Sequence, residues 1–328
     1  MAGMGGMAPV VGVDLGGTKI LAGVVDAENK ILGRAKRSTP AEAGGLAILA
    51  AITSCIDQAL AEANVHRDQI IGIGVGSPGP LDPATGVIAF SANLNVKNWP
   101  LGPDLTSAMG KPVLVQNDVR VGGYGEYHLG AGRGHRSLLA AFVGTGIGGC
   151  LILDDKIFEG ATGNAGEVGH IVVKADGPKC GCGRRGCLEA LSSRSAIARR
   201  VTKAARNGEE SMLASKVDKK SGKLKSGDIA AAFAAGDHVA IREIHRAAYF
   251  LGLGLGGLVN LIGPEIVVIG GGVTEALGPM FLNLVRDSAR EQILVDPEDQ
   301  IKIELAELGD DAGILGAALL ARERFADS

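Results

Sequence analysis

The chain has 328 residues, 46% hydrophobic and 21% charged, with a formal net charge of −3. That balance suits a well-packed globule of two ordinary domains, and it excludes a general electrostatic attraction to nucleic acid or to anionic membranes. No apolar run reaches membrane-spanning length without a Gly or charge interruption, and the opening MAGMGGMAPV lacks signal-peptide features. Five Cys, three of them within eight positions, do not form a secreted disulfide pattern, so a reducing cytoplasm is expected. Gly is abundant at 51 residues and aromatics are scarce at 3%, which favours tight turns and close backbone approaches.

Along the chain, Val10 to Asp14, Ile20 to Val25 and Ile31 to Lys36 read as strands in two successive hairpins. Helical spacing follows from Gly45 to Ala63. Ile70 to Val75 is a fourth strand, stopped by Gly76-Ser77-Pro78-Gly79-Pro80. Lys111 to Gln116 is a fifth, with Asn117 and Asp118 at its end. The strand, Gly turn, strand pattern then recurs: Leu138 to Val143, Gly144 to Gly149, Cys150 to Leu153. A long helix is expected over Ile241 to Leu261, strands over Ile266 to Ile269 and Ile301 to Leu305, and a closing helix over Ala312 to Phe325. Two copies of a strand meander plus helices predict two lobes with a cleft between them. The basic, turn-rich stretch Lys216 to Gly227 reads as a solvated loop.

Three Gly turns carry phosphate-handling character. Asp14-Leu15-Gly16-Gly17-Thr18-Lys19 joins exposed N–H groups with a hydroxyl and an ammonium, and Asp14 could hold Mg²⁺. A plain Gly hairpin with a surface Lys is the alternative. Gly144-Thr145-Gly146-Ile147-Gly148-Gly149 matches G-x-G-x-x-G, but the apolar run after it is a strand rather than a helix. That rules against a dinucleotide fingerprint and leaves a second phosphate clamp. Gly270-Gly271-Gly272 is a third close-approach turn, suited to a base or ribose, or else a simple strand-to-helix turn. No P-loop motif is present.

Cys180, Cys182 and Cys187 stand in a C-x-C-x₄-C pattern among glycines, with His170 ten residues upstream at the start of an expected strand, Ile171 to Val173. Three thiols and one imidazole make a closed tetrahedral set for a structural Zn²⁺. Buried free thiols are disfavoured because these positions have no core to fill. Cys55 and Cys150 fall in helix and strand patterns and read as core residues.

From Val11 to about Ala317 the chain resembles the ROK family of sugar kinases, within the actin, Hsp70 and hexokinase ATPase superfamily. DLGGTK resembles the first phosphate motif, VGTGIGG the second, VIGGG the adenosine motif, and CxCGxxGCxE the family's zinc signature. The resemblance implies an α/β fold of two RNase H-like lobes, here residues 1–117 with 312–328 and residues 118–311, joined through segments around Asn117-Asp118 and Gly309 to Ala317. It implies ATP, Mg²⁺ and structural Zn²⁺ as cofactors, and a homodimer or homotetramer with small-molecule partners only. Asp14, Gly16, Gly17, Thr18, Lys19, Gly144, Thr145, Gly146, Gly271 and Gly272 would hold the nucleotide. Asp118 matches the catalytic base, although by itself it could equally close the strand in an Asx-turn. Gly79, Asn93, Asn117, Glu167, His170 and Glu189 match sugar-binding positions. His170, Cys180, Cys182 and Cys187 match the zinc ligands.

The strings GNAGEVGH and NLNVKNW resemble glucokinases most, so transfer of the ATP γ-phosphoryl to the 6-hydroxyl of glucose is the expected reaction. Kinases for fructose, mannose, N-acetylglucosamine or N-acetylmannosamine are the near alternatives. A repressor would need a DNA-binding domain ahead of Asp14, and a non-catalytic sensor would lose Asp118 or the phosphate turns.

Overall fold

Val, Ile and Leu dominate the start of the chain, and the computed structural model forms the strands that such residues favour: β1 (Val10–Leu15), β2 (Lys19–Val25) and β3 (Ile31–Ser38), paired antiparallel in series. The structure describes residues 8–218, 221–295 and 300–326; the opening MAGMGGM and Lys219-Lys220 of the basic stretch lie outside the described residues. Helix α1 (Gly45–Ala63) buries Ile48, Ile52, Ile56 and Ala59 against β2 and β3. Among the described residues it is the one helix long and apolar enough to cross a membrane, but it carries Asp57 and Glu62 and its apolar stripe lies in this core.

Strand β4 (Ile73–Ser77) adds parallel to β1. A small sheet follows, of β5 (Leu81–Asp82), β6 (Val87–Ser91) and β7 (Val96–Trp99), then α2 (Leu101–Met109). Strand β8 (Val113–Asn117) pairs parallel with β4 and leads directly into α3 (Asp118–Leu129). The sheet order is β3-β2-β1-β4-β8. Expected strand starts at Ile70 and Lys111 move to Ile73 and Val113. Ile70 instead closes a short 3-10 turn, and Pro112 has no N–H to give a ladder.

In the second unit β9 (Ser137–Val143), β10 (Ile147–Leu153) and β11 (Lys156–Ile157) form the same antiparallel series. A 3-10 turn covers Val168–His170. The expected strand at Ile171 to Val173 does not form; Val172 makes an isolated bridge to Cys187, because the short loop has no neighbouring strand to pair with. Helices α4 (Leu188–Ser192), α5 (Arg194–Arg206), α6 (Ser226–Ala234) and α7 (His238–Ile262) follow. Ser193 caps α5 and Asp237 caps α7, accepting N–H bonds of 3.2 Å from Ala196 and 2.9 Å from Ala240. Strand β12 (Ile266–Gly270), α8 (Gly272–Arg290), kinked at Gly278 before Pro279, and β13 (Lys302–Leu305) complete it. The sheet order is β11-β10-β9-β12-β13, with the pairing directions of the first sheet repeated.

The chain returns to the first unit as α9 (Asp311–Phe325), which packs on β1, β4 and α3. The units are therefore Met1–Leu129 with Asp310–Ser328, and Gly130–Gly309. The boundary expected after residue 117 falls after Leu129 instead, and the return at 312 begins at 310. Helix α3 packs against α9 and so stays with the first sheet, which places Asp118 in the first unit. Each unit has its own apolar core, built around Val11, Val13, Ile52 and Ile73 in the first and around Leu139, Ile244, Val267 and Phe281 in the second.

Candidate functional site

In the first unit the parallel strands β1, β4 and β8 bring their C-terminal ends into register: Asp14 opposes Gly76, Gly76 opposes Gln116, and Ser77 opposes Asn117. Strand ends of this kind are where α/β proteins hold ligands. Asn117 caps α3, its Oδ1 accepting the N–H groups of Val119 at 3.1 Å and Arg120 at 3.2 Å. That cap fixes Asp118 as the first helical residue, where its own Oδ1 accepts the Val119 N–H at 2.9 Å. Burial, reinforced by the charge of Asp14, pushes the Asp118 carboxyl up to about 6. Burial also raises Asp14, partly offset by Lys19 and added to by Asp310. Two electrostatically coupled carboxylates at the end of a sheet form a proton-accepting and cation-attracting centre. Beside them the Ser77 hydroxyl is fully buried without a protein partner.

The hairpin between β1 and β2 is closed by the Gly16 N–H donating to the Lys19 carbonyl at 2.9 Å, and by Thr39 Oγ1 donating to the Gly16 carbonyl at 2.7 Å. Gly17 is required sterically: a Cβ there would lie 2.9 Å from the Asn93 carbonyl oxygen. Asn93, an expected sugar ligand, is thus in direct contact with the Gly16-Gly17 turn. Gly79 is fixed twice over, by φ of +106° and by a would-be Cβ 2.3 Å from the Phe90 carbonyl. Thr18 is exposed, and Lys19 pairs at 2.7 Å with Asp310, a residue sequence reasoning did not single out.

In the second unit the turn between β9 and β10 is held by the Gly144 N–H donating to the Gly146 carbonyl at 2.9 Å. A strand follows it, so this turn has no helix N-terminus to offer a dinucleotide. Gly271, at φ +87°, would place a Cβ 2.7 Å from the Val143 N, so the third Gly turn abuts the end of β9 next to Gly144. Helix α8 starts at Gly272. The loop carrying Glu167 and His170 is seated on β10 through Gly149 and Gly169, whose would-be Cβ atoms fall 2.3 Å from the Val168 side chain and 2.0 Å from the Ile147 carbonyl. Glu167 itself is exposed.

His170, Cys180, Cys182 and Cys187 converge, their ligand atoms all within 4.8 Å of one another. Cys182 and Cys187 sulfurs lie 3.6 Å apart, and Cys180 Sγ lies 3.8 Å from His170 Nδ1. A tetrahedral ion with metal–sulfur bonds of about 2.3 Å needs separations of about 3.8 Å between ligands. The donor set therefore fits such an ion in both chemistry and spacing. Burial pushes the Cys180 thiol up to about 12 and raises Cys187, whereas the Arg184 backbone N–H lowers Cys182. Glu189 links this cluster to the turn between β9 and β10. Its Oε1 accepts from Cys180 Sγ at 3.5 Å and its Oε2 accepts the Ile147 N–H at 3.1 Å. Gly146 must lack a side chain because a Cβ would sit 2.3 Å from that Oε2.

The expected residues thus group as Asp14, Gly16, Gly17, Gly79, Asn93, Asn117 and Asp118 in one unit, and as the Gly144–Gly146 turn, Gly271, Glu189, His170 and the three cysteines in the other. Sequence reasoning did not single out Ser77 or Asp310: the first lay in a segment read only as a strand stop and the second in one read only as a connection, and no spacing pointed to either side chain.

The ROK family model matches residues 10–324. The chain is 35% identical over 315 residues to a glucokinase of Halalkalibacterium halodurans, covering 96% of this chain and 95% of that one. The ROK hexokinase of Thermus thermophilus superposes with a TM-score of 0.83 at 36% identity, over 98% of this chain and 100% of that chain. A ROK glucokinase of Streptomyces griseus, solved with glucose and AMPPNP, gives 0.81 at 34% identity, over 96% and 99%. A family model that spans nearly the whole chain, and relatives that match it over nearly their own full length, show that the chain belongs to the ROK family.

Proposed function

We propose that the protein transfers the γ-phosphoryl group of ATP to the 6-hydroxyl of glucose. The observation that carries this reading is Asp118, a carboxylate raised to about 6 at the C-terminal end of the first sheet and coupled to Asp14. Such a group is ionised at neutral pH yet more basic than an ordinary Asp, as a general base must be. The relatives named glucokinase and the neighbour solved with glucose and AMPPNP support the choice of sugar and donor.

In this reading the hydroxyl oxygen attacks the γ-phosphorus, the bond to ADP breaks, and the hydroxyl proton passes to Asp118. Positioning and charge neutralisation supply most of the rate. Asn93, Asn117, Glu167, His170, Glu189 and the backbone at Gly79 bind sugar hydroxyls. Gly16, Gly17, Thr18 and Lys19, with Gly144, Thr145 and Gly146, bind phosphates, and Gly271 and Gly272 pass along the ribose or base. Asp14 would hold Mg²⁺, which neutralises the triphosphate. His170, Cys180, Cys182 and Cys187 would hold Zn²⁺ in a structural role, since four protein ligands would leave no position open for water. His170 turns Nδ1 to the cysteines, leaving Nε2 for the sugar.

The test is a coupled ADP-release assay with ATP and Mg²⁺ over glucose, mannose, fructose, N-acetylglucosamine and N-acetylmannosamine. Glucose is expected to give the highest kcat/KM. Asp118→Asn is expected to lose about 10²-fold or more in kcat while the glucose Kd stays within a few-fold. Absence of turnover with every hexose refutes the reading.

A further inference from the structure

The described residues of the basic stretch, 216–218 and 221–227, and the N-terminus of α5 play no part in the chemistry above, yet residues of both lie at the Gly144–Gly146 turn. Arg194, the first residue of α5, spans the two. Its Nη2 donates to Thr145 Oγ1 at 2.6 Å and its Nη1 donates to Ser226 Oγ at 3.4 Å. The Arg194 N–H donates to the Gly144 carbonyl at 3.0 Å, and Ser195 Oγ donates to the Thr145 carbonyl at 2.7 Å. The Gly144 and Thr145 carbonyls are therefore tied to α5. Ser226 in turn lies against the third Gly turn, 3.4 Å from where a Cβ on Gly272 would stand. The guanidinium thus bonds directly to one of the two turns of this unit that the reading above assigns to the nucleotide, and reaches the other through Ser226. Among the described residues no carboxylate pairs with it. It also lines a cavity whose wall continues through Lys216, Lys223 and Lys225, with Asp218 and Asp228 as the acidic members. A second cavity, of about 610 Å³, opens from Thr145 past Arg199, Lys203 and Arg206.

A half-buried guanidinium that, among the described residues, bonds to two hydroxyls has donors to spare, because a guanidinium carries five N–H groups. Hydroxyls are weak partners for a cation, and phosphate oxygens are strong ones. We propose that Arg194 is a donor-specificity residue, binding a phosphate of the phosphoryl donor at the turn Gly144–Gly146. This rests on the reading that this turn holds donor phosphates. The turn itself offers neutral N–H groups and one hydroxyl, and Arg194 is the cation bonded directly to it.

The experiment compares wild type, Arg194→Gln and Arg194→Lys by calorimetry with ADP, with adenosine and with glucose, alongside steady-state kinetics. For Arg194→Gln the ADP Kd and the ATP KM are expected to rise about ten- to hundredfold, the worth of hydrogen bonds to a charged group. Adenosine and glucose affinities are expected to stay within about twofold. Arg194→Lys should recover part of the ADP affinity by charge alone, and the ADP Kd of Arg194→Gln should depend less steeply on salt than that of wild type. Equal weakening of ADP and adenosine overturns the proposal, because it marks a role in holding the turn's shape. Unchanged ADP affinity in a folded Arg194→Gln overturns it as well. Wild type that binds no ADP and transfers no phosphoryl group from ATP refutes instead the reading on which the proposal rests.

Discussion

Asp118 places two demands on one residue. A base that takes a proton from an alcohol benefits from a raised pKa, and burial beside Asp14 supplies it, to about 6. The same shift opposes folding at neutral pH. The ordinary value is 3.8, so the folded protein binds this proton more tightly than the unfolded chain does. The group's contribution therefore favours folding at low pH and is lost as pH rises from about 4 through about 6; at pH 7 the charged form costs about 3 kcal/mol. Two outcomes are expected. The kcat/KM for glucose falls about tenfold per pH unit below about 6 and is level above 7, read from initial rates at subsaturating sugar. Asp118→Asn, inactive in turnover, melts several degrees above wild type at pH 7.5, and the gain shrinks between pH 6 and pH 4. An unchanged melting temperature at pH 7.5 would show that the carboxylate is better solvated or paired than its surroundings indicate.

The elements around the site are joined where side chains are missing. Helix α9 lies so close to the first sheet that a Cβ on Gly12 would come 1.9 Å from the Ile314 carbonyl, and one on Gly74 would come 1.9 Å from the Ala317 carbonyl. A Cβ on Gly316 would likewise come 1.9 Å from the Val121 carbonyl of α3. Gly74→Ala is therefore expected to destabilise by about 1–3 kcal/mol or more in urea unfolding. Gly257→Ala, in mid-helix with no atom within 4 Å of the new Cβ, should stabilise by about 1 kcal/mol. At the metal loop the expected behaviour follows from the thiols. Cys180 and Cys187 are raised by burial, so metal binding must displace their protons, and affinity for Zn²⁺ should strengthen as pH rises from 6 to 8. Chelator treatment should release a stoichiometric ion and weaken glucose binding, because His170 and Glu189 both touch Cys180. A metal-free protein with unchanged glucose Kd would separate the cluster from the sugar.

These elements also show what the sequence made legible. Strands β1 to β3, β9, β10 and β12 and the Cys₃His cluster carry strong local signals: β-branched runs, Gly turns and dense thiols. Helix α3 did not, because VGGYG holds three small or flexible residues in one turn and its helicity comes from the Asn117 cap and from packing on α9. The small sheet of β5 to β7 escaped because its strands are short and partly exposed. Glu189 was identified as a sugar ligand, but its bond to the Ile147 N–H joins residues 42 positions apart, which no spacing rule reaches.

For the molecule as a whole, the two units differ in how the chain makes them. Gly130–Gly309 is continuous, whereas the first unit is interrupted and takes α9 from beyond residue 309. Helix α9 buries Ala312, Ile314, Leu315, Ala317, Ala318 and Ala321, and it covers the sheet face at Gly12 and Gly74. Without it, β1 and β4 would present backbone and apolar side chains to water at positions that carry no polar residue, a cost comparable to the net stability of a domain. The apolar core of the second unit is drawn entirely from residues between Leu139 and Ile303. Expressed alone with Zn²⁺, a 130–309 fragment is therefore expected to show helical circular dichroism and a cooperative melt. A 1–129 fragment is expected to be unfolded or aggregated, and to recover a cooperative melt when 310–328 is fused to it through a flexible linker. A stable, monomeric 1–129 fragment would mean that the sheet and α3 suffice for that core, and that α9 serves the site at Asp14 and Asp118 more than the fold.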